Sequence, residues 1–140
     1  MRFWDTSAIT PLLVDEIARD RMLELLQQDP QMLVWWGTRI EIVSALSRRE
    51  REKVLTTQQV GHALDTAHQL AADWDEILPT DAVRRTAERM LRIHPLRAAD
   101  SLQLAAALIA AGHDPSTLEL VCLDSRLANA AGREGFIVID

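Results

Sequence analysis

The chain has 140 residues, enough for one domain with a buried core, and its 48% hydrophobic and 26% charged content is that of a globular protein. No run approaches the ~18 apolar residues of a membrane span, Asp5 and the Asp15-Glu16 pair interrupt any signal-peptide core, and the single cysteine, Cys122, excludes an internal disulfide. A net charge of -6 argues against nucleic acid as the default partner, although fourteen of the fifteen basic residues are arginine, the side chain best shaped for phosphate.

Residues 2–4 (RFW) read as a short buried strand, and Thr6 and Ser7 after Asp5 are helix-start residues. Residues 15–28 carry Ile17, Met22, Leu25 and Leu26 at roughly helical spacing. QMLVWW (31–36) predicts a second strand, and Trp35 and Trp36 are expected between sheet and helices rather than stacked on bases. Thr38 opens a helix with Ile42, Ala45 and Leu46 on one face, and Thr56-Thr57 opens another through Val60, Leu64 and Ala67 to about Ala72. EILP (76–79) is a weak strand stopped by Pro79. Thr80-Asp81 begins the next helix, ending near Ile93. Residues 98–114, rich in alanine and leucine, form the clearest helix, closed by Gly112. LELVCL (118–123) is a strand, with Cys122 a small buried residue. Ser125 to about Ala131 is a short helix stopped by Gly132, and 135–140 a final strand. The alternation predicts a single α/β domain over 1–140, with a mainly parallel sheet between helices.

In open sheets of this class, sites lie beyond the carboxyl ends of the strands. Asp5 and Asp124 both stand there, each directly after an apolar strand. Asp is a favoured N-cap, so each has a structural reading as well as a chemical one. Glu41 falls in the first turn of the helix after the second strand, and Asp100 in the first turn of the Ala-rich helix, where a charge also suits the helix dipole. Four carboxylates converging on one sheet edge would need raised proton affinity or a bound cation. Oxygen ligands without His or Cys suit Mg²⁺ or Mn²⁺, an ion able to activate water at a phosphate ester. His62, His68, His94 and His113 show no zinc spacing and are expected in surface or capping roles.

FWDTSA (3–8), Glu41, AADSLQLAAAL (98–108) and LVCLDSRLANAA (120–131) together resemble, in order along the chain, the PIN-domain ribonucleases, and in particular the VapC-type toxins of toxin–antitoxin pairs. The resemblance implies a three-layer α/β/α sandwich. It also implies an endoribonuclease that uses Asp5, Glu41, Asp100 and Asp124 with Mg²⁺ or Mn²⁺ to cleave structured RNA. Ser7 and Thr6 would support the first aspartate. Where the family often has Thr, two residues before its last aspartate, this chain has Cys122. The implied partners are a cognate antitoxin and a second copy of the chain in a homodimer, in the cytoplasm and away from membranes. Arg48, Arg49, Arg51 and Arg126 are candidate RNA contacts, in addition to the wider clusters 48–53 and 84–97. Two rival readings remain at this stage: a non-catalytic module with an acidic docking pocket, and a metal-dependent phosphatase with an aspartate nucleophile.

Overall fold

The computed structural model describes all 140 residues. Five short strands form one sheet: β1 (Arg2–Trp4), β2 (Met32–Trp35), β3 (Asp75–Ile77), β4 (Glu119–Val121) and β5 (Ile137–Ile139). Their order is β3-β2-β1-β4-β5, and every pairing is parallel. Strand β1 is central, with Phe3 in register with Leu33 on one side and Leu120 on the other.

Alternate residues on each strand face opposite ways, and the apolar strand residues divide accordingly. Phe3, Leu33, Trp35 and Leu120 join one buried cluster with α5 (Asp81–Ile93), α6 (Ala98–Ala110) and α7 (Ser125–Glu134). Trp4, Met32, Val34 and Val121 join the other with α1 (Thr6–Leu13), α2 (Arg19–Gln28), α3 (Thr38–Arg51) and α4 (Thr57–Ala71). The result is the three-layer α/β/α sandwich expected from the resemblance. Because every strand runs the same way, all five carboxyl ends lie along one edge. No helix is long and apolar enough to cross a membrane.

Several boundaries differ from the sequence reading. Residues 15–18 are not helical, and Ile17 is fully exposed. The guanidinium of Arg19 donates to the carbonyls of Pro11, Leu12 and Val14, so this segment is a capped connector between α1 and α2. Gly132 lies inside α7, which runs on to Glu134. The left-handed residue that ends it is Gly135 at φ 106°. A 3-10 turn at Pro115–Thr117, unread in the sequence, leads into β4. Trp35 is buried as expected, but Trp36 lies past the end of β2 and is 45% exposed. His94, expected in a surface or capping role, is the C-cap residue of α5 and is buried, with Nε2 2.6 Å from Glu134 Oε1.

The turn from β2 into α3 is tight. A Cβ on Gly37 would stand 2.4 Å from Trp35 Nε1, and the buried indole has little room to give. Glycine at 37 therefore lets the chain pass over Trp35 and begin α3 at Thr38, which sets the position of Glu41.

Candidate active site

An open cleft of about 550 Å³ lies along the carboxyl edge of the sheet. Asp5, Glu41, Asp100 and Asp124 all line it, together with Thr6 and Ser7. The four carboxylates come from four separate helix starts.

Asp5 follows β1, and its backbone N–H donates to Val121 O, extending the ladder to β4. It is the N-cap residue of α1 and is 5% exposed. Its Oδ2 accepts from the Ser7 backbone N–H (2.9 Å) and from the Ser7 hydroxyl. Burial pushes its carboxyl above the ordinary 3.8; the bonds from Ser7 and Thr6 oppose this, and the charge of Asp124 adds to it.

Ser7 joins the two central strand ends. Besides donating to Asp5, its Oγ accepts from the backbone N–H of Leu123 (2.9 Å) and of Asp124 (3.1 Å). A single hydroxyl thereby satisfies two backbone donors at the end of β4 and one carboxylate at the end of β1. Cys122 Sγ stands nearby, 3.8 Å from Asp5 Oδ2 and 3.4 Å from Asp124 O. Its thiol is pushed up to about 12, first by burial and then by the charge of Asp5, so it is an inert packing group.

Asp124 does what an N-cap does: Oδ1 accepts from Leu127 N at 2.8 Å, while the residue stays exposed. Asp100 Oδ2 accepts from Arg97 N at 3.2 Å in the first turn of α6. The capping reading of these acids is thus realised, and the same acids still line the cleft. One carboxylate has two oxygens, so capping and a second role are compatible.

Glu41 is only partly buried, yet it is the most bonded of the four from outside its own helix. Its Oε2 accepts from Thr6 Oγ1 (2.9 Å) and Gln103 Nε2 (3.1 Å). Burial raises its carboxyl above the ordinary 4.5, these two bonds hold it back, and the charges of Asp5 and Asp100 raise it further. The carboxylates therefore act on one another across the cleft.

The donor set consists of hard carboxylate oxygens, which suits a hard divalent cation. As the side chains stand, no three Asp, Glu, His or Cys groups are gathered tightly enough to cage an ion. Buried Asp5 and part-buried Glu41 form the floor, and part-buried Asp100 and exposed Asp124 stand at the rim.

Of the arginines singled out in the sequence, Arg48 and Arg49 line the cleft. Arg49 is engaged by Glu16 at 2.6 Å, whereas Arg48 is exposed. Arg51 lines a separate groove between α3 and α4, and Arg126 is exposed in the first turn of α7, away from the cleft lining. From the second cluster only Arg97 reaches the cleft; Arg84, Arg85, Arg89 and Arg92 lie on the solvent face of α5.

The sequence reading missed Gln103 and Thr38, both buried beside Glu41. The available signal was Gln103 itself: one amide in the apolar run 102–111, three residues after Asp100 and so on the same helix face.

No protein-family model matches the sequence, and no curated protein matches it. Solved structures do. A chain of a toxin–antitoxin complex from Klebsiella pneumoniae is 15% identical with a TM-score of 0.70, the match covering 100% of this chain and 97% of that one. FitAcB from Neisseria gonorrhoeae is 16% identical with a TM-score of 0.68, at the same coverage. At such identities the likeness is one of architecture, and over its whole length this chain has the fold of those two.

Proposed function

We propose that the chain is a metal-dependent endoribonuclease, the toxin of a toxin–antitoxin pair. One observation carries this reading: Asp5, Glu41, Asp100 and Asp124, scattered from residue 5 to residue 124, line a single cleft at the carboxyl edge of a parallel sheet. The fold shared with a chain from a toxin–antitoxin complex supports the biological setting.

Mg²⁺ or Mn²⁺ bound among the carboxylates of this cleft would supply Lewis acidity at a phosphodiester and make water nucleophilic at neutral pH. Asp5 and Glu41 favour such an ion because burial disfavours their charges, which a cation would relieve. Ser7 fixes one oxygen of Asp5, and Thr6 one oxygen of Glu41. Arg48 and Arg97, both exposed and both lining the cleft, would bond phosphate oxygens of the RNA. A basic antitoxin side chain entering the cleft would neutralise the same acids and exclude RNA. Ile40 and Val43, exposed beside the cleft in the α3–α4 groove, offer apolar surface for the antitoxin or a second copy of the chain to cover.

The test is cleavage of total cellular RNA by the partner-free protein in Mg²⁺, in Mn²⁺ and in EDTA. Discrete fragments that need the ion, and that disappear in Asp100→Asn, are expected. Folded, antitoxin-free protein that cuts nothing in any condition would leave the acidic cleft as a docking surface.

A further inference from the structure

Gln103 is out of place by composition. It lies in α6 next to Leu104, Ala105, Ala106 and Ala107, all fully buried, and is itself 1% exposed. A side chain serving only to fill that space would be apolar, because a buried amide must find partners for two N–H groups and an oxygen. Gln103 finds them on one side alone. Its Nε2 is 3.1 Å from Thr6 Oγ1, from Thr38 Oγ1 and from Glu41 Oε2. Its Oε1 is buried with no partner. Turning the amide over would set Oε1 against the Glu41 carboxylate, acceptor against acceptor. The charge of Glu41 therefore dictates the amide's orientation, and the unpaired oxygen is what that orientation leaves behind. Unsatisfied buried groups call for a reason beyond packing, and this one adjoins the cleft.

We propose that Gln103 is a positioning residue for Glu41: with Thr6 it holds Oε2 within the chain and leaves Oε1 as the one oxygen offered to the cleft. This rests on the ion-binding reading of the cleft. Thr6 and Gln103 reach the same Oε2 from α1 and α6, while Glu41 itself belongs to α3. Three helices are thus tied at one carboxylate oxygen, and Oε1 accepts no hydrogen bond from the chain. Without the clamp, the three side-chain torsions of Glu41 are free and both oxygens become available. One offered oxygen suits Mg²⁺ or Mn²⁺, which keep waters in an octahedral shell; two oxygens suit Ca²⁺, which accepts bidentate carboxylates.

The experiment is calorimetric titration of the full chain with MnCl₂ and, separately, with CaCl₂. Gln103→Met keeps length and removes the donors. It is expected to weaken Mn²⁺ binding by about tenfold or more, to lower the preference for Mn²⁺ over Ca²⁺, and to have no further effect in a Glu41→Gln background. Saturating Mn²⁺ should restore most RNA cleavage, so that the defect appears in the ion requirement rather than the limiting rate. Thr6→Val removes the second donor to the same oxygen and carries the same test if Gln103→Met does not fold. Unchanged Mn²⁺ affinity in a folded variant, or an equal loss with and without Glu41, overturns the assignment and leaves Gln103 a packing residue. A parent chain that binds no Mn²⁺ overturns the ion-binding reading itself, and is seen before any variant is compared.

Discussion

Asp5 and Asp124 occupy equivalent places at the ends of neighbouring strands, each the N-cap residue of the helix that follows, yet their surroundings differ. Asp5 is buried, raised in proton affinity and bonded by both the backbone N–H and the hydroxyl of Ser7; Asp124 is exposed and accepts one backbone N–H of its helix. Glu41 and Asp100 differ in their bonds: Glu41 accepts from Thr6 and Gln103 on two other helices, Asp100 only from Arg97 N at the start of its own. A strand-end carboxylate is thus not one kind of group. Burial decides whether its charge is a strained resource or an ordinary cap.

The contrast would break if the floor and rim acids behaved alike on substitution. Asp5→Asn and Glu41→Gln should each lower RNA cleavage by about 100-fold or more, and Asp124→Asn by roughly tenfold or less, measured as initial rates on one RNA at fixed Mn²⁺. Asn caps helices about as well as Asp, and Asp5→Asn removes a buried charge, so its thermal midpoint should hold or rise. A large fall in that midpoint would show that the charge at 5 serves folding.

Ser7 binds the two sides of the comparison together. Ser7→Ala leaves the N–H groups of Leu123 and Asp124 without their acceptor, a loss of about 1–3 kcal/mol in chemical denaturation. Asp124→Ala, which deletes an exposed cap, should lose about 1 kcal/mol. A smaller loss at Ser7 than at Asp124 would reverse the ranking of floor over rim.

The raised acids also set a pH dependence. In the folded chain Asp5 and Glu41 hold protons above the ordinary 3.8 and 4.5, over an interval where the unfolded chain has released them. Stability of the EDTA-treated protein should therefore fall as pH rises through that interval and stay low above it. Asp29, held down first by its bond to the N-terminal ammonium, gives the opposite slope as pH drops below the carboxylate range. Denaturation between about pH 4 and 8 should show the first slope, and Asp5→Asn should flatten it. The smallest effect concerns Cys122: with its thiol at about 12 and 1% exposed, it should resist iodoacetamide at mildly alkaline pH until the chain unfolds, as read by mass spectrometry.

Much of the floor and rim was legible because strand-end grammar is local. Phe3 and Trp4 followed by Asp, Thr and Ser state a strand, a cap and a helix within six residues, and the alternation of five strands with helices specifies a parallel sheet. The carboxylates follow, since parallel strands deliver their ends to one edge. What stayed hidden was the non-local bonding. Nothing near Gln103 in sequence tells that Thr6, Thr38 and Glu41 meet it, because those contacts exist only once α1, α3 and α6 pack. The arginine clusters were unresolved for a similar reason: which groove each arginine meets depends on how the helices pack, and Arg48 lines the cleft while Arg51, one turn on, lines another groove. Gly132 resembles a stop because glycine is a poor helix former, but Arg133 and Glu134 continue the turn to Gly135.

The central place of β1 in the strand order also has a consequence in time. Strand β1 is made first, but one of its two neighbours is β4, and the bond from Asp124 N to Ser7 Oγ spans 117 residues. At a translation rate of ~5–20 residues per second, roughly 6–23 s separate the synthesis of Ser7 from that of its partner. Through that interval Asp5 has no β4 beside it, and the cleft lacks one wall. A nascent chain therefore cannot present the assembled site until β4 and Asp124 are made, and whatever chemistry the cleft performs waits for them.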